Sequence, residues 1–434
     1  MSTVTIAPAS HPLRGTFRVP GDKSMAHRAL LLGAIARGPT VVRGFAGGED
    51  NRATRDACQL LGIAAVQSGA ELRIEGRGWE GLAAPPATID CRNSGTTMRL
   101  LSGLLAGRPF NSRLDGDASL RRRPMRRVIE PLARMGAAIV GEGADGRAPL
   151  RIEGRMLHGA MHTLAVASAQ VKSALLFAGL QAAGETRIEE PAPSRDHTER
   201  LLGTFGATLS RGERWVALRG PQELAGTAVE LPGDFSSAAF LIVAALLVPD
   251  SEVRLVDVGV NPTRTGLLDA LGAMGAEIRV EPAGVSGTEP RANLLVRSAE
   301  LRATRIAGEL LVRAIDEFPI LCIAAACASG TTELRDAGEL RIKESDRIAV
   351  MAEILRALGV SVSELPDGLV IEGPSRIMGG GIDARGDHRI AMAAAVAGLA
   401  SRDGVTILGA ECADVSFPDF YAVLARAAGG AVGP

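Results

Sequence analysis

The chain has 434 residues, a formal net charge of −1 and a hydrophobic content of 46%, which is typical of a globular protein with a substantial core. Because it has no basic excess and only 3% aromatic residues, nucleic acid is not the expected partner. The longest apolar stretches, such as residues 238–248, are too short to span a bilayer, and the N-terminus lacks the apolar run of a signal peptide. We therefore expect a cytoplasmic protein without a membrane partner.

Two segments about half the chain apart resemble each other. Residues 19–38 read VPGDKSMAHRALLLGAIARG, and residues 231–250 read LPGDFSSAAFLIVAALLVPD. In both halves, helical patterns also end in a glycine at intervals of roughly 70 to 85 residues, which indicates an internal repeat. The six glycines are Gly62, Gly136, Gly206, Gly275, Gly359 and Gly429.

A more uniformly apolar helical run precedes each glycine-ended pattern. A helix that is apolar all round is a buried helix. Short β-type runs lie between and after the helices, for example TVVRGF at 40–45 and AAIVGE at 137–142. The sequence therefore predicts an α/β protein with six repeats of a β-α-β-α-β-β unit and parallel inner helices. The predicted inner helices span 25–36, 97–106, 171–182, 236–247, 317–328 and 389–399.

The two PGD segments are expected to mark the points where the chain crosses between two domains of three units each. We assign residues 1–20 and 232–434 to domain I and residues 21–231 to domain II. Residues 1–20 are then expected to complete sheet structure of the C-terminal domain.

Cations stand at the starts of the predicted inner helices, where the helix macrodipole disfavours them. Lys23 and Arg28 open the first helix, Arg99 lies in NSGTTMR, and Lys172 lies in SAQVK. For one helix, an ordinary N-cap with a solvated lysine is the better interpretation. Recurrence at three starts favours an anion bound over the backbone N–H groups.

Two further loops are rich in charge, SLRRRPMRR at 119–127 and ELRIKESDR at 339–347. Such runs are most often solvated surfaces, but planar guanidinium groups also bind carboxylates and phosphates bidentately. Together with the helix starts they predict a small polyanionic substrate in an interdomain cleft. Asp316 and Glu344, the latter beside Lys343, are the acid/base candidates for addition or elimination chemistry.

No cofactor or metal site is expected. The sequence contains no Walker A motif, Rossmann fingerprint or nucleophile elbow. His158 and His162 are four positions apart, but no carboxylate accompanies them as a metal ligand. The five cysteines are scattered and form no CxxC pair, which indicates reduced thiols.

In order along the chain, PGDKSMAHRALLLGAIARG, NSGTTMRLL, RPM, ASAQVKSALLFAGL, SRDHTE, IDEFPIL, ELRIKESDR and DHRIAM resemble the 5-enolpyruvylshikimate-3-phosphate synthase family. NSGTT and ELRIKESDR are more similar to its class II-like bacterial branch. The resemblance implies a two-domain inverse α/β barrel. It also implies a transferase that moves the enolpyruvyl group of phosphoenolpyruvate to the 5-hydroxyl of shikimate 3-phosphate and releases phosphate. We expect these small molecules as its partners, and a monomer.

The resemblance also implies roles for particular residues. Asp316 and Glu344 are expected to be the acid/base pair, and Lys23 is expected to stabilise the departing phosphate. The expected shikimate 3-phosphate site comprises Lys23, Ser24, Arg28, Ser168, Ala169, Gln170, Arg195, Asp316 and Lys343. The expected phosphoenolpyruvate site comprises Lys23, Gly95, Arg123, Gln170, Arg347 and Arg389.

Two positions depart from the family pattern. Arg92 stands where the family has a small residue, and Val415 stands where one branch has a phosphoenolpyruvate-binding lysine. The family also implies inhibition by glyphosate, which competes with phosphoenolpyruvate, and Gly95 leaves the space that the longer inhibitor needs.

Two alternative functions can be compared with the sequence. The related UDP-N-acetylglucosamine enolpyruvyl transferase has an active-site cysteine loop, whereas SLRRRPMRR contains no cysteine. A nucleic-acid-binding repeat protein would use the basic loops and would show steep salt dependence.

Overall fold

The computed structural model describes residues 2–429 and 432–433, and the chain divides into two compact units. Unit 1 comprises the described residues of Met1–Pro20, Pro232–Gly284 and Pro290–Pro434, and unit 2 comprises Gly21–Leu231 and Val285–Glu289. The sequence-based division had assigned 285–289 to domain I. These residues group with unit 2 because Glu289 contacts His197 at 2.7 Å and the Ser286 hydroxyl donates to the Glu230 carbonyl.

Helices and strands alternate along both units. The chain begins in unit 1 with β1 (Thr3–Ile6) and β2 (Arg14–Phe17). Unit 2 contains α1 (Lys23–Ile35), β3 (Ala36–Arg43), α2 (Glu49–Leu60), β4 (Ala65–Ser68), β5 (Glu71–Arg77), β6 (Ile89–Asp90), α3 (Gly95–Leu105), β7 (Asn111–Asp115), α4 (Ala118–Arg122), α5 (Arg126–Arg134), β8 (Ala138–Glu142), β9 (Arg147–Glu153), β10 (Met161–Thr163), α6 (Ala169–Gly179), β11 (Gly184–Glu189), α7 (His197–Thr204), β12 (Ser210–Arg211), β13 (Trp215–Gly220), β14 (Leu224–Ala225) and β15 (Ala228–Glu230). The chain continues with α8 (Phe235–Leu247), β16 (Glu252–Gly259), α9 (Gly266–Ala273), β17 (Ile278–Ser286), β18 (Glu289–Arg297), β19 (Arg305–Ile306), α10 (Gly308–Arg313), α11 (Phe318–Cys327), β20 (Gly330–Leu334), α12 (Arg347–Ala357), β21 (Val362–Leu365), β22 (Gly368–Gly373), β23 (Gly380–Asp383), α13 (His388–Leu399), β24 (Val405–Leu408), α14 (Phe420–Ala427) and β25 (Val432–Gly433).

The six helices predicted to be buried are α1, α3 and α6 in unit 2 and α8, α11 and α13 in unit 1, which confirms that prediction. Every residue of α13 is buried, and α8, α11 and α13 pack on one another. Helices that lose water on all sides need an apolar surface all round, which their sequences provide. These helices are short, and among the described residues no helix is long and apolar enough to cross a membrane.

The partly exposed helices α2, α5, α7, α9, α12 and α14 each end before a glycine with positive φ, as the sequence predicts. At Gly62 (φ 87°) the glycine N–H donates to the Gln59 carbonyl at 3.0 Å, and Ile63 N–H donates to the Cys58 carbonyl at 3.0 Å. A side chain at Gly62 would be strained in this left-handed conformation. The glycines therefore end the helices and turn the chain into the next strand.

The strands form six sheets among the described residues, and the sheets repeat one pairing pattern. In β6-β7-β9-β8, β6 and β7 are parallel, whereas β7–β9 and β9–β8 are antiparallel. The same pattern recurs in β10-β11-β13-β12 and β19-β20-β22-β21. At the N-terminus, β1 pairs with β24 and β2 with β16, which confirms that residues 1–20 complete sheets of the C-terminal half.

Candidate active site

The first turn of α1 carries one of the cations that stand at the unfavourable end of a helix. Asp22 caps the helix, since its carboxylate accepts the Met25 N–H at 2.9 Å. The Lys23 ammonium lies 2.8 Å from the Asp50 carboxylate, and both side chains are largely buried. The pair offsets the cost of a cation at the helix N-terminus and fixes the ammonium where α1 begins.

Arg28 is a buried residue that joins three helices. Its Nε donates to the Thr198 hydroxyl at 2.6 Å, and its Nη2 donates to the Ser173 hydroxyl at 2.9 Å. Its Nη1 donates to the Ser24 carbonyl at 2.8 Å. Burial lowers the pKa of Arg28 to about 10, although the charge of Glu199 opposes this effect. The guanidinium therefore stays charged at neutral pH. This cation is held rigidly between α1, α6 and α7.

His27 is structural rather than catalytic. Its Nδ1 lies 2.6 Å from the Thr54 hydroxyl. The Thr54 hydroxyl is hydrogen-bonded to the Thr97 hydroxyl at 2.7 Å, and the Thr97 hydroxyl donates to the Ser94 hydroxyl at 2.7 Å. Burial, opposed by the charge of Asp50 and helped by the charges of Lys23 and Arg28, lowers the pKa of His27 to about 3. The ring is therefore neutral at physiological pH and links α1 and α2 to the start of α3 through hydroxyl groups.

Gly95 opens α3 beside two guanidinium groups. A Cβ at this position would lie 2.4 Å from Arg99 Nη1 and 3.1 Å from Arg123 Nη1. Arg123, which is almost fully buried, donates from Nη2 to the Asn93 side-chain oxygen at 2.6 Å. Two cations therefore converge on a helix N-terminus whose first residue has no side chain, and this arrangement suits an anion.

The start of α6 lies beside the same cluster. Gln170 donates from Nε2 to the Thr96 hydroxyl at 2.9 Å and accepts from Arg99 Nη1 at 3.0 Å. Ser168 is the N-cap of α6 and Ala169 is its first residue. Arg195 lies in the loop between β11 and α7, two residues before that helix begins. Unit 2 thus brings together the helix starts that the sequence had singled out.

In unit 1, Arg347 is the centre of a buried ionic cluster. The guanidinium is fully buried and contacts three carboxylates: Asp387 at 2.8 Å, Glu344 at 2.8 Å and Asp316 at 3.7 Å. Burial lowers the pKa of Arg347, but Asp387 and Glu344 raise it by more, so it lies above its ordinary value. The carboxylates of both candidate acid/base residues, Asp316 and Glu344, therefore contact the same guanidinium.

Arg389 approaches the same aspartate from the start of α13. Its Nη1 donates to the Asp316 carbonyl at 3.0 Å, and its Nη2 lies 3.5 Å from the Asp316 carboxylate. Asp387 caps α13 by accepting the Arg389 N–H at 3.0 Å. Lys343 follows the short 3-10 helix Gly338–Ile342 and directly precedes Glu344. Unit 1 therefore brings together Asp316, Glu344, Arg347 and Arg389, with Lys343 adjacent in the chain.

The structure accounts for one departure from the family pattern. Arg92 has a left-handed backbone (φ 52°), and its guanidinium pairs with Glu49 at 2.5 Å and with Asp56 at 2.7 Å. It therefore ties α2 to the turn before α3. Val415 ends the short 3-10 helix Ala410–Val415 and is half-buried, and nothing in the structure explains its replacement of a lysine.

Sequence reasoning missed several partners of the site residues. Asp50, Ser173 and Thr198 hold Lys23 and Arg28, but they carried no motif. The interpretation of Lys172 as an anion-binding cation was wrong, because its ammonium is buried between Glu190 and Glu199. Among the described residues, no cluster of histidine, cysteine or acidic side chains could hold a metal ion.

Comparisons with known proteins give the class of this fold and site. The family model described as EPSP synthase (3-phosphoshikimate 1-carboxyvinyltransferase) matches residues 8–424. A solved EPSP synthase from Acinetobacter baumannii superimposes with a TM-score of 0.87 and 45% identity, covering 99% of both chains. The enolpyruvyl transferase NikO from Streptomyces tendae superimposes with a TM-score of 0.78 over 99% of this chain and 98% of its own, and at 19% identity it supports the fold alone. The chain thus has the enolpyruvyl transferase fold.

Similarity to curated sequences is closer still. The 3-phosphoshikimate 1-carboxyvinyltransferase of Geobacter metallireducens is 54% identical over 429 residues, which is 99% of this chain and 100% of that protein. The enzyme of the same name from Geobacter sulfurreducens is 54% identical over 424 residues, 97% of this chain and 99% of that protein. This chain belongs to the EPSP synthase family.

Proposed function

We propose that the residues gathered in the two units bind shikimate 3-phosphate and phosphoenolpyruvate and carry out the reaction of the family. The enzyme is a transferase that moves the enolpyruvyl group to the 5-hydroxyl of shikimate 3-phosphate. In an addition–elimination sequence, the 5-hydroxyl oxygen adds to C2 of phosphoenolpyruvate while C3 gains a proton. C3 then loses a proton as the bond from C2 to the phosphate oxygen breaks, which gives the enolpyruvyl ether and inorganic phosphate.

Most residues assigned to the shikimate 3-phosphate site lie in unit 2. Arg28 supplies a fixed charge for the phosphate, and the start of α6 supplies backbone N–H groups and polar side chains. Asp316 and Lys343 of unit 1 belong to the same proposed site. Its members are Lys23, Ser24, Arg28, Ser168, Ala169, Gln170, Arg195, Asp316 and Lys343.

The phosphoenolpyruvate site needs several cations, because this substrate carries a carboxylate and a phosphate. The guanidinium pair beside Gly95 and the two arginines beside Asp316 can supply them bidentately. Arg347 and Arg389 are both held by carboxylates, so binding requires little further ordering of their side chains. The members of this proposed site are Lys23, Gly95, Arg123, Gln170, Arg347 and Arg389.

The proton transfers are assigned to Asp316 and Glu344. Both carboxylates contact Arg347, whose buried guanidinium holds them in place. Asp316 takes the proton of the 5-hydroxyl, and Glu344 is its companion acid/base. Lys23, held by Asp50, stabilises the departing phosphate. The observation that carries the proposal is Asp316 held between Arg347 and Arg389 in a chain whose family match spans residues 8–424.

A phosphate-release assay on the purified chain tests the proposal. We expect saturable phosphate release that requires both shikimate 3-phosphate and phosphoenolpyruvate. UDP-N-acetylglucosamine in place of shikimate 3-phosphate is the control for the related transferase, and it should give no release. Release with the nucleotide sugar, or no release with shikimate 3-phosphate, would overturn the assignment.

We also propose that the protein is a cytoplasmic monomer. The five cysteines are free thiols, three of them fully buried, which fits a reducing cytoplasm. We expect a monomer, which light scattering coupled to size exclusion at assay concentrations would test. A mass of about twice 45.0 kDa would contradict it.

A further inference from the structure

Lys172 is a buried cation that the proposed mechanism does not use. It lies in the first turns of α6, and its side chain is 4% exposed. The ammonium is 2.7 Å from the Glu190 carboxylate, 2.8 Å from the Glu199 carboxylate and 3.3 Å from the Ser194 carbonyl oxygen. A lysine ammonium has three N–H donors, and these three acceptors use all of them. Lys172 therefore has no donor left for a substrate.

The three acceptors belong to one segment of the chain. Glu190 directly follows β11, Ser194 lies in the loop, and Glu199 lies in the first turn of α7. The second oxygen of Glu190 also accepts the Ser194 hydroxyl. The ammonium thus holds both ends and the middle of residues 190–199. This segment contains Arg195.

The same segment is joined to Arg28. Thr198 accepts from Arg28 at 2.6 Å, and its hydroxyl lies 2.6 Å from the hydroxyl of Ser173, the residue next to Lys172. Burial lowers the pKa of Arg28, and the charge of Glu199 opposes this effect, so Glu199 acts on both buried cations. The two cations and the carboxylates of Glu190 and Glu199 balance in charge. Removing the ammonium would leave two like charges buried close together at the ends of the segment.

We propose that Lys172 is a positioning residue that fixes the segment 190–199 and thereby places Arg195 for binding shikimate 3-phosphate. The inference rests on the proposed assignment of Arg195 to that substrate. It predicts a selective effect, because the segment contains no residue of the proposed phosphoenolpyruvate site. Displacement of a binding group by about 1 Å is enough to weaken its contribution strongly.

The main test is Lys172→Met, which keeps an unbranched side chain one atom shorter but removes its charge and donors. We expect the KM for shikimate 3-phosphate to rise about tenfold or more, while kcat and the KM for phosphoenolpyruvate change less than about threefold. Glu189→Gln is the matched control, since the Glu189 carboxylate pairs with Arg187 at 3.0 Å, is 40% exposed and precedes the segment. It should leave all three constants within about twofold.

A double-mutant cycle with Arg195→Ala separates positioning from a general structural role. If Lys172 acts through Arg195, Lys172→Met should add little to the KM increase that Arg195→Ala already causes. Amide hydrogen exchange gives a readout that does not depend on activity, and exchange in 190–199 should accelerate in Lys172→Met but not in Glu189→Gln. An additive cycle, or unchanged exchange in 190–199, would overturn the inference.

Glu190→Gln keeps the test decisive if Lys172→Met does not fold. It is isosteric and leaves the contact of Lys172 with Glu199 in place, so a smaller rise in the same KM, about threefold, is expected. A folded variant with an unchanged KM would overturn the inference while leaving the function intact. Failure of the wild-type enzyme to use shikimate 3-phosphate would instead overturn the proposed function.

Discussion

Gly95→Ala tests whether the start of α3 binds phosphoenolpyruvate and its competitor glyphosate. The added methyl carbon would lie 2.4 Å from Arg99 Nη1 and 3.1 Å from Arg123 Nη1. Both are the far ends of flexible side chains, so they can shift without disturbing the backbone. Gly95 is the first residue of a helix, where alanine is at least as favourable as glycine. We therefore expect a folded enzyme with an altered anion site.

The size of the effect follows from the geometry. Displacing Arg123 weakens the binding of both ligands. Glyphosate is longer than phosphoenolpyruvate and should also contact the added methyl group. A methyl-sized difference in a tight site is worth about 1–3 kcal/mol, or roughly 10–200-fold. The KM for phosphoenolpyruvate should rise several-fold, and the ratio of the glyphosate Ki to that KM should rise about tenfold or more.

Steady-state phosphate release, measured with and without glyphosate, gives both constants. Gly272→Ala is the control, because a Cβ at Gly272, an exposed position in α9, meets nothing within 4 Å. It should leave both constants unchanged. A Gly95→Ala enzyme with an unchanged ratio would show that Gly95 does not set the clearance for the inhibitor.

Three further predictions concern chemistry, stability and pH. Asp316→Asn is nearly isosteric but takes up no proton, so kcat should fall about 100-fold or more, and a near wild-type kcat would refute its role. Arg347→Met leaves the buried carboxylate of Asp387 unpaired and should lower the free energy of unfolding by about 3–5 kcal/mol in urea titrations, whereas a loss under about 1 kcal/mol would contradict the cluster's importance. Burial and the charge of Arg134 lower the pKa of His162 to about 4, so the unfolded chain takes up a proton first and stability falls as the pH drops from 6.5 towards 4. His162→Leu should therefore show a smaller fall in Tm over this range, and an equal fall would exclude His162 as its source.

The features that sequence reasoning predicted are local in the chain. The buried helices follow from apolar residues on every side, and their outer partners follow from glycines such as Gly62 and Gly275. The residues at the helix starts could be found because cations are unfavourable there without a partner. Their partners could not be found, because buried charge pairs join distant elements. Asp50 lies beside Lys23, and Glu190 beside Lys172, only after the chain has folded.

The segment 285–289 shows the same limit at the scale of domains. Its sequence carries no signal that it leaves the unit of its flanking strands. Its place follows from two contacts. Glu289 lies against His197 in a buried contact. The Nη1 of Arg200 donates to the Thr288 carbonyl oxygen at 2.7 Å. Such contacts depend on residues that are roughly 90 positions away, and no periodic pattern encodes them.

The most direct test of the whole account is a single NMR time course of the purified enzyme with phosphoenolpyruvate and shikimate 3-phosphate. Phosphorus signals report inorganic phosphate, and vinyl proton signals report the enolpyruvyl ether. We expect phosphate and the ether at the 5-position to appear in equal amounts, and only when both substrates are present. Phosphate formed from phosphoenolpyruvate alone, or without the ether, would contradict it.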